Sequence, residues 1–167
     1  MAQQDMFLKV EGTKSGSING ESQDAKHKDE IDVLSWSWGM ESRTDLYTAG
    51  PSRRATIKEL LVIKRIDRSS TALMSALTTN EPIKQALLTV RKAGKTPLEY
   101  LKITIKKARL TSIHHRTDPS DPAQLAEELS FSFQNVTVDY TPQGSDGQPR
   151  GATTFTSDWG ASAEAGN

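Results

Sequence analysis

Asp29-Glu30-Ile31-Asp32-Val33-Leu34-Ser35-Trp36-Ser37-Trp38-Gly39-Met40 is the stretch that decides the fold class of this 167-residue chain. Large apolar and small polar residues alternate with period two, the signature of a half-buried strand. Strict alternation puts Leu34, Trp36 and Trp38 on one face and Val33, Ser35, Ser37 and Gly39 on the other. Burying a large side chain contributes about 1.5–3 kcal/mol, so Trp36 and Trp38 are expected to anchor a core. The competing reading is a base-stacking platform shared with Tyr100, Lys102, Lys106 and Lys107. The small side chains opposite must meet water or a surface that packs closely on them.

The same alternation recurs on both sides of this segment. Met6–Glu11 reads as a first strand, followed by a polar loop over Gly12–Lys28. Glu41–Arg54 contains Ala49-Gly50-Pro51-Ser52 and reads as an extended loop. Ala55–Ile66 is apolar on both faces around Leu60-Leu61-Val62-Ile63, as expected of a strand covered on both sides. Over Ser69–Asn80 the period changes, with Ala72, Leu73, Ala76 and Leu77 on one helical face, a cap at Ser69 or Ser70 and a stop at Asn80. Lys84–Lys92 and Leu98–Ala108 form a hairpin, the second strand able to run to Ser112 or beyond. Asp118-Pro119-Ser120-Asp121-Pro122 is expected to break the chain before Leu125–Tyr140. There Leu129, Phe131 and Phe133 share one face and Val136, Val138 and Tyr140 the other. The flip near Gln134-Asn135 implies a bulge or a strand that changes packing partner. Thr153–Trp159 reads as a short edge strand. The expected fold is mainly β, an antiparallel two-sheet barrel or sandwich with one flanking helix, in one domain over residues 1–160. Residues 161–167 read as a disordered tail.

Apolar residues make up 35% of the chain and cysteine is absent, which excludes disulfides, thiolate metal sites and thiol nucleophiles. No apolar run reaches the roughly 20 residues that span a bilayer, so direct membrane insertion is not expected. Met1–Lys9 has neither the basic nor the apolar region of a secretory leader, and synthesis in the cytoplasm is expected. The formal charge is zero, yet residues 1–52 carry a net −4, residues 53–116 a net +11 and residues 117–167 a net −7. Such segregation suits nucleic-acid binding, folding of the ends over the middle, or head-to-tail association of identical subunits.

Catalytic signals are missing. There is no phosphate loop, dinucleotide fingerprint, H-E-x-x-H or G-x-S-x-G elbow. His114 and His115 are adjacent and should point to opposite faces of a strand, while His27 lies among Lys26 and Lys28. All three read as solvated imidazoles. Asp118, Asp121, Glu127 and Glu128, clustered near prolines, read as solvated turn carboxylates. Neither an enzyme nor a metal or cofactor site is expected.

Read in order, Phe7-Leu8-Lys9-Val10, Gly20-Glu21-Ser22 with Asp24 and His27, and Glu30–Met40 closely resemble the haemolysin-coregulated protein (Hcp) family, the tube protein of bacterial type VI secretion. The likeness continues through Leu87–Gly94, Glu99–Thr104, Leu129-Ser130-Phe131 and Val136–Tyr140, and covers roughly residues 6–159.

The resemblance implies a two-sheet barrel that assembles as a homo-hexameric ring. Rings of this family stack into a tube that a contractile sheath propels behind a spike of the VgrG type. The lumen holds and protects effector proteins, and the tube protein is itself secreted without a signal peptide. Family members use the middle residue of W-x-W to contact cargo. The resemblance therefore assigns that role to Ser37, with Ser35 beside it. It assigns ring stacking to the Glu41–Arg54 loop. Many relatives are glycine-rich there, whereas this chain has Arg43, Asp45, Tyr47, Arg53 and Arg54, so its stacking should be more salt-dependent. About eight residues follow Trp159, and no fused toxin domain is expected.

Overall fold

In the computed structural model, which describes residues 4–42, 55–92 and 97–159, the alternating segments form strands in the expected order. They are β1 (Gln4–Gly12), β2 (Gly16–Ile18), β3 (Ile31–Ser37), β4 (Met40–Glu41), β5 (Thr56–Ile57), β6 (Leu60–Arg65), β7 (Pro82–Lys92), β8 (Leu98–Asp118), β9 (Asp121–Tyr140) and β10 (Thr153–Asp158). One helix, α1 (Ser69–Thr78), lies between β6 and β7. Hydrogen-bonded neighbours run β9-β6-β3-β1-β7-β8, and β8 pairs back onto β9, so six antiparallel strands close a barrel. β2 folds back on β1, inside what reads from sequence as an uninterrupted loop, and β10 adds to β9.

The barrel interior is filled from every strand of the ring. Leu8 and Val10, Ile31 and Val33, Leu60 and Val62, Leu88 and Val90, Ile103 and Ile105, and Leu129 and Phe131 are all buried in one cluster. α1 adds Leu73 to this cluster and packs against β8 and β2. Its start differs from expectation. Ser69 and Ser70 lie within the first turn, and the Asp67 carboxylate accepts the Ser69 N–H at 2.9 Å while Ser70 Oγ accepts the Asp67 N–H at 3.1 Å. Asn80 ends the helix as expected, in the left-handed region at φ 54°.

β8 and β9 correct the expected break at residues 118–122. The strands run through it to a tight turn at Pro119-Ser120, where Asp118 accepts from the Ser120 N–H and hydroxyl at 2.8 and 2.6 Å. Those bonds hold the Asp118 carboxyl below its usual range, and the residue is buried rather than solvated. The face flip in β9 is a change of partner. Ala126–Phe131 pairs with β6, whereas Asn135–Tyr140 pairs with β10. β8 flips with it at Lys107, which takes φ 48°, and the register on either side (Lys106 with Asn135, Ala108 with Phe133) is unbroken.

Charge is buried where the sequence suggested solvation. Lys64 and Glu127 are direct cross-strand partners and neither is exposed. Lys64 Nζ lies 2.8 Å from Glu127 Oε1 as an ion pair off hydrogen-bond geometry, and donates to Asp67 Oδ1 and Ser70 Oγ at 3.0 and 3.1 Å. Glu127 Oε2 is 2.6 Å from His115 Nε2. An ion pair at this depth is tolerable because other polar groups share the ammonium.

A second polar cluster lies outside the barrel wall. Phe7, Thr89 and Arg91 point away from the interior, yet all three are buried, and the segment between β2 and β3 lays His27 on Phe7 and Asp24 against Arg91. That segment is pinned on itself by Gly20 N–H to Asp29 O and Ser22 N–H to Glu30 O, at 2.8 and 3.0 Å. A Cβ on Gly20 would meet Glu30 O at 2.6 Å, so only glycine permits this approach. Arg91 donates to Asp24 through both terminal nitrogens and to Asp5 at 3.0 Å, with its guanidinium 5.1 Å from the Phe7 ring centroid.

The hydrogen bonds from Arg91 lower the Asp24 pKa from 3.8 to about 2. A carboxyl depressed on folding stabilises the native state above its ordinary value, and that contribution is lost as pH falls toward the folded value. Asp24→Asn should therefore flatten the loss of stability between about pH 4 and 2, read by urea denaturation at each pH. An unchanged acid limb would show that Arg91 does not hold Asp24 in solution.

Candidate functional site

The surface that carries the sequence-predicted contact residues is built by an irregularity in β3. Val33 is opposite Lys64 and Ser35 is opposite Ile63, so the ladder slips by one residue at Leu34. The slip corrects the alternation read from sequence. Val33 turns inward and Leu34 turns out, 37% exposed, while Trp36 and Trp38 join the inward side. Both rings are half-buried and pack against the core cluster. Trp36 is opposite the fully buried Val62. Trp38 donates its indole N–H to Lys58 O at 2.9 Å and tilts against Phe133 at 6.1 Å between centroids. The pair is thus engaged with the core rather than presented together as an open stacking platform.

Ser35 and Ser37 point out and are exposed. Register extends each into a row across the sheet. Ser35 leads through Ile63 to Glu128 and His114, and Ser37 leads through Leu61 to Ser130 and Ser112. The outer side of β6 was expected to be covered. Within this chain Leu61 and Ile63 are only half-buried. They give the face an aliphatic stripe between two hydroxyl-bearing strands. Two open depressions flank it. One, of about 220 Å³, is lined by Ser35, Trp36, Ser37, Leu61, Ile63 and Glu128. The other, of about 590 Å³, reaches from Ser37 and Leu61 to Ile57, Lys58 and Glu59. Charge enters both depressions, with Lys58 3.6 Å from Glu41 beside one and Glu128, 3.5 Å from Arg116, lining the other.

Leu61 and Ile63 share this face with Ser35 and Ser37 and were not singled out in the sequence; the doubly apolar run was the signal, read there as a strand covered on both sides. Arg43, Asp45, Tyr47, Arg53 and Arg54 lie outside the described residues. The ends of their loop are tied together by β4 and β5, where Met40 pairs with Ile57 and Glu41 with Thr56. Among the described residues, no group of three His, Asp or Glu side chains is placed to hold a metal ion, and no helix is long and apolar enough to cross a membrane.

A family profile described as "Type VI secretion system effector, Hcp" matches residues 7–140, the span that contains the whole barrel ring apart from the first residues of β1. The chain belongs to the Hcp family. It is 37% identical over 150 residues to Protein hcp1 of Pseudomonas aeruginosa, a match covering 88% of this chain and 89% of that protein. The fold superposes on the crystal structure of Hcp1 from Salmonella typhimurium with a TM-score of 0.74 and 34% identity, over 96% of this chain and 97% of that one. A type VI secretion system effector from Yersinia pestis gives a TM-score of 0.70 and 30% identity, over 92% and 99% of the two chains. This Hcp is accordingly a type VI secretion tube/effector protein, as the resemblance in its sequence implied.

The bulge separates two mutations that sequence alternation would treat alike. Trp38→Ala removes packing and a hydrogen bond and should cost about 2–4 kcal/mol. Leu34→Ser should stay within about 0.5 kcal/mol of the parent. Chemical denaturation checks both, and equal losses would restore Leu34 to the tryptophan side.

Proposed function

We propose that this Hcp acts as a structural subunit, closing into homo-hexameric rings that stack into the inner tube of the type VI apparatus. The observation that supports the reading is the family match along the barrel. The outer β3–β6–β9 face agrees with it, because half-buried aliphatic residues beside small hydroxyls suit a surface that other proteins contact. In this reading Ser37 and Ser35 line the lumen and touch effector cargo, with Leu61 and Ile63 giving the cargo an apolar footing. The tube is made in the cytoplasm and leaves through the apparatus, moving with spike and sheath proteins, and is itself secreted.

Ring closure uses two different surfaces of each subunit, a heterologous interface that the segregated charge along the chain suits. The Glu41–Arg54 loop then meets the next ring through Arg43, Asp45, Tyr47, Arg53 and Arg54. Exposed charge contacts are screened by salt, so stacking should weaken at an ionic strength that leaves single rings intact.

Ser37→Gln lengthens a side chain on the proposed cargo wall without touching the core. The variant should keep its ring mass while retaining less of an effector co-expressed with it, measured by the effector-to-ring ratio after size-exclusion chromatography. Equal retention in parent and variant would remove Ser37 from the cargo wall.

A further inference from the structure

Outside the barrel wall, His27 is held from both ends. Its Nδ1 is 2.7 Å from Glu30 Oε2 and its Nε2 is 2.6 Å from Glu99 Oε1, a residue 72 positions away at the start of β8. The ring is 8% exposed and lies flat on Phe7, with centroids 4.3 Å apart and planes 10° apart. A neutral imidazole offers one N–H and one lone pair, whereas ionised carboxylates only accept. Two carboxylates at these distances are both satisfied only when each ring nitrogen carries a proton. Removing one proton would aim a lone pair at a carboxylate in a site with little water to compensate.

We propose that the His27 ring, clamped between Glu30 and Glu99, is a pH-sensitive latch that holds the segment between β2 and β3 onto the outer wall of the barrel. Several carboxylates lie on the elements around the ring. β1 contributes Asp5, the segment itself Asp24 and Glu30, β3 Asp32, and β8 Glu99. The cations facing them are Arg91 of β7, held by Asp24 and Asp5, and Lys102 of β8, 3.2 Å from Glu99. Burial works to raise the Glu99 carboxyl, but hydrogen bonds from His27 and Lys102 outweigh it and hold it below its usual value. Burial pushes the Asp32 carboxyl up, and Asp67, Asp24 and Asp5 add to that. Glu99 therefore stays ionised through the range in which histidine changes charge, between about pH 5 and 8. In that range the proton on His27 sets the latch. It is shut on the acid side and opens as pH rises, uncovering Phe7.

Hydrogen exchange of the native full chain, corrected for intrinsic rates, tests this with peptides covering residues 20–31 against the α1 peptide as internal control. From pH 5.5 to 8.5, both within about one unit of that range, protection over 20–31 should fall about tenfold or more while α1 holds constant. His27→Gln, whose amide cannot carry the charge, should give weak protection over 20–31 that does not change with pH. Glu99→Gln supplies a donor that can face a bare ring nitrogen, so it should keep the segment docked at both ends of the range and reads the latch even if the His27 variant fails to fold. Wild-type protection that is flat with pH, or the same fall in the Glu99 variant, would overturn the proposal.

Discussion

The ladder between β8 and β9 is the constraint on which the rest of the structure depends. It pairs Leu101 with Tyr140 at one end and Asp118 with Asp121 at the other, and it alone joins the last strand of the ring to the first. Without it the sheet would be open, with edges at β6-paired β9 and at β8. Because β9 is 20 residues long, its two halves can serve different neighbours while β8 supports both. The joint flip at Lys107 and Gln134 is how two strands change the side they bury without losing register.

Closure also explains why charge is arranged as it is. Strands facing an enclosed interior leave their other side to be covered by whatever lies outside. At β1 and β7 that cover comes from the chain itself, the Gly20–Glu30 segment with its ion pairs and the His27 stack. At β6 and β9 only part of the wall is covered from within: Ser130 is buried, whereas Ser35 and Ser37 are exposed and Leu61 and Ile63 half-buried. The difference between the two walls separates a self-contained surface from one suited to contact with other proteins.

The fold class was legible because period-two alternation runs through long stretches of β1, β3, β8 and β9, and because the helical period is read over Ser69–Asn80. Alternation put Leu34, Trp36 and Trp38 on one face, whereas in the structure the two tryptophans pack against the core cluster and Leu34 is exposed. A one-residue slip at Leu34 is invisible to alternation, so Val33 and Leu34 were exchanged. Glu127 was read as solvated because its partner Lys64 is 63 positions away and charged side chains are usually exposed, and His27 because Lys26 and Lys28 flank it while Glu99 is 72 positions away. The Pro119-Ser120 turn was read as a break since proline marks a turn equally well inside a hairpin and between elements. What alternation could not supply, the order of the Hcp-like segments did, since no single segment is distinctive and their succession is.

Assembly is the central claim, and the mass of the native particle tests it most directly. Size-exclusion chromatography with light scattering, at low and moderate salt and with negative-stain microscopy of the peak, reads mass and shape together. The account predicts a mass near six subunits with annular particles, and stacks that shorten as salt rises. A monomer at every concentration and salt would contradict it.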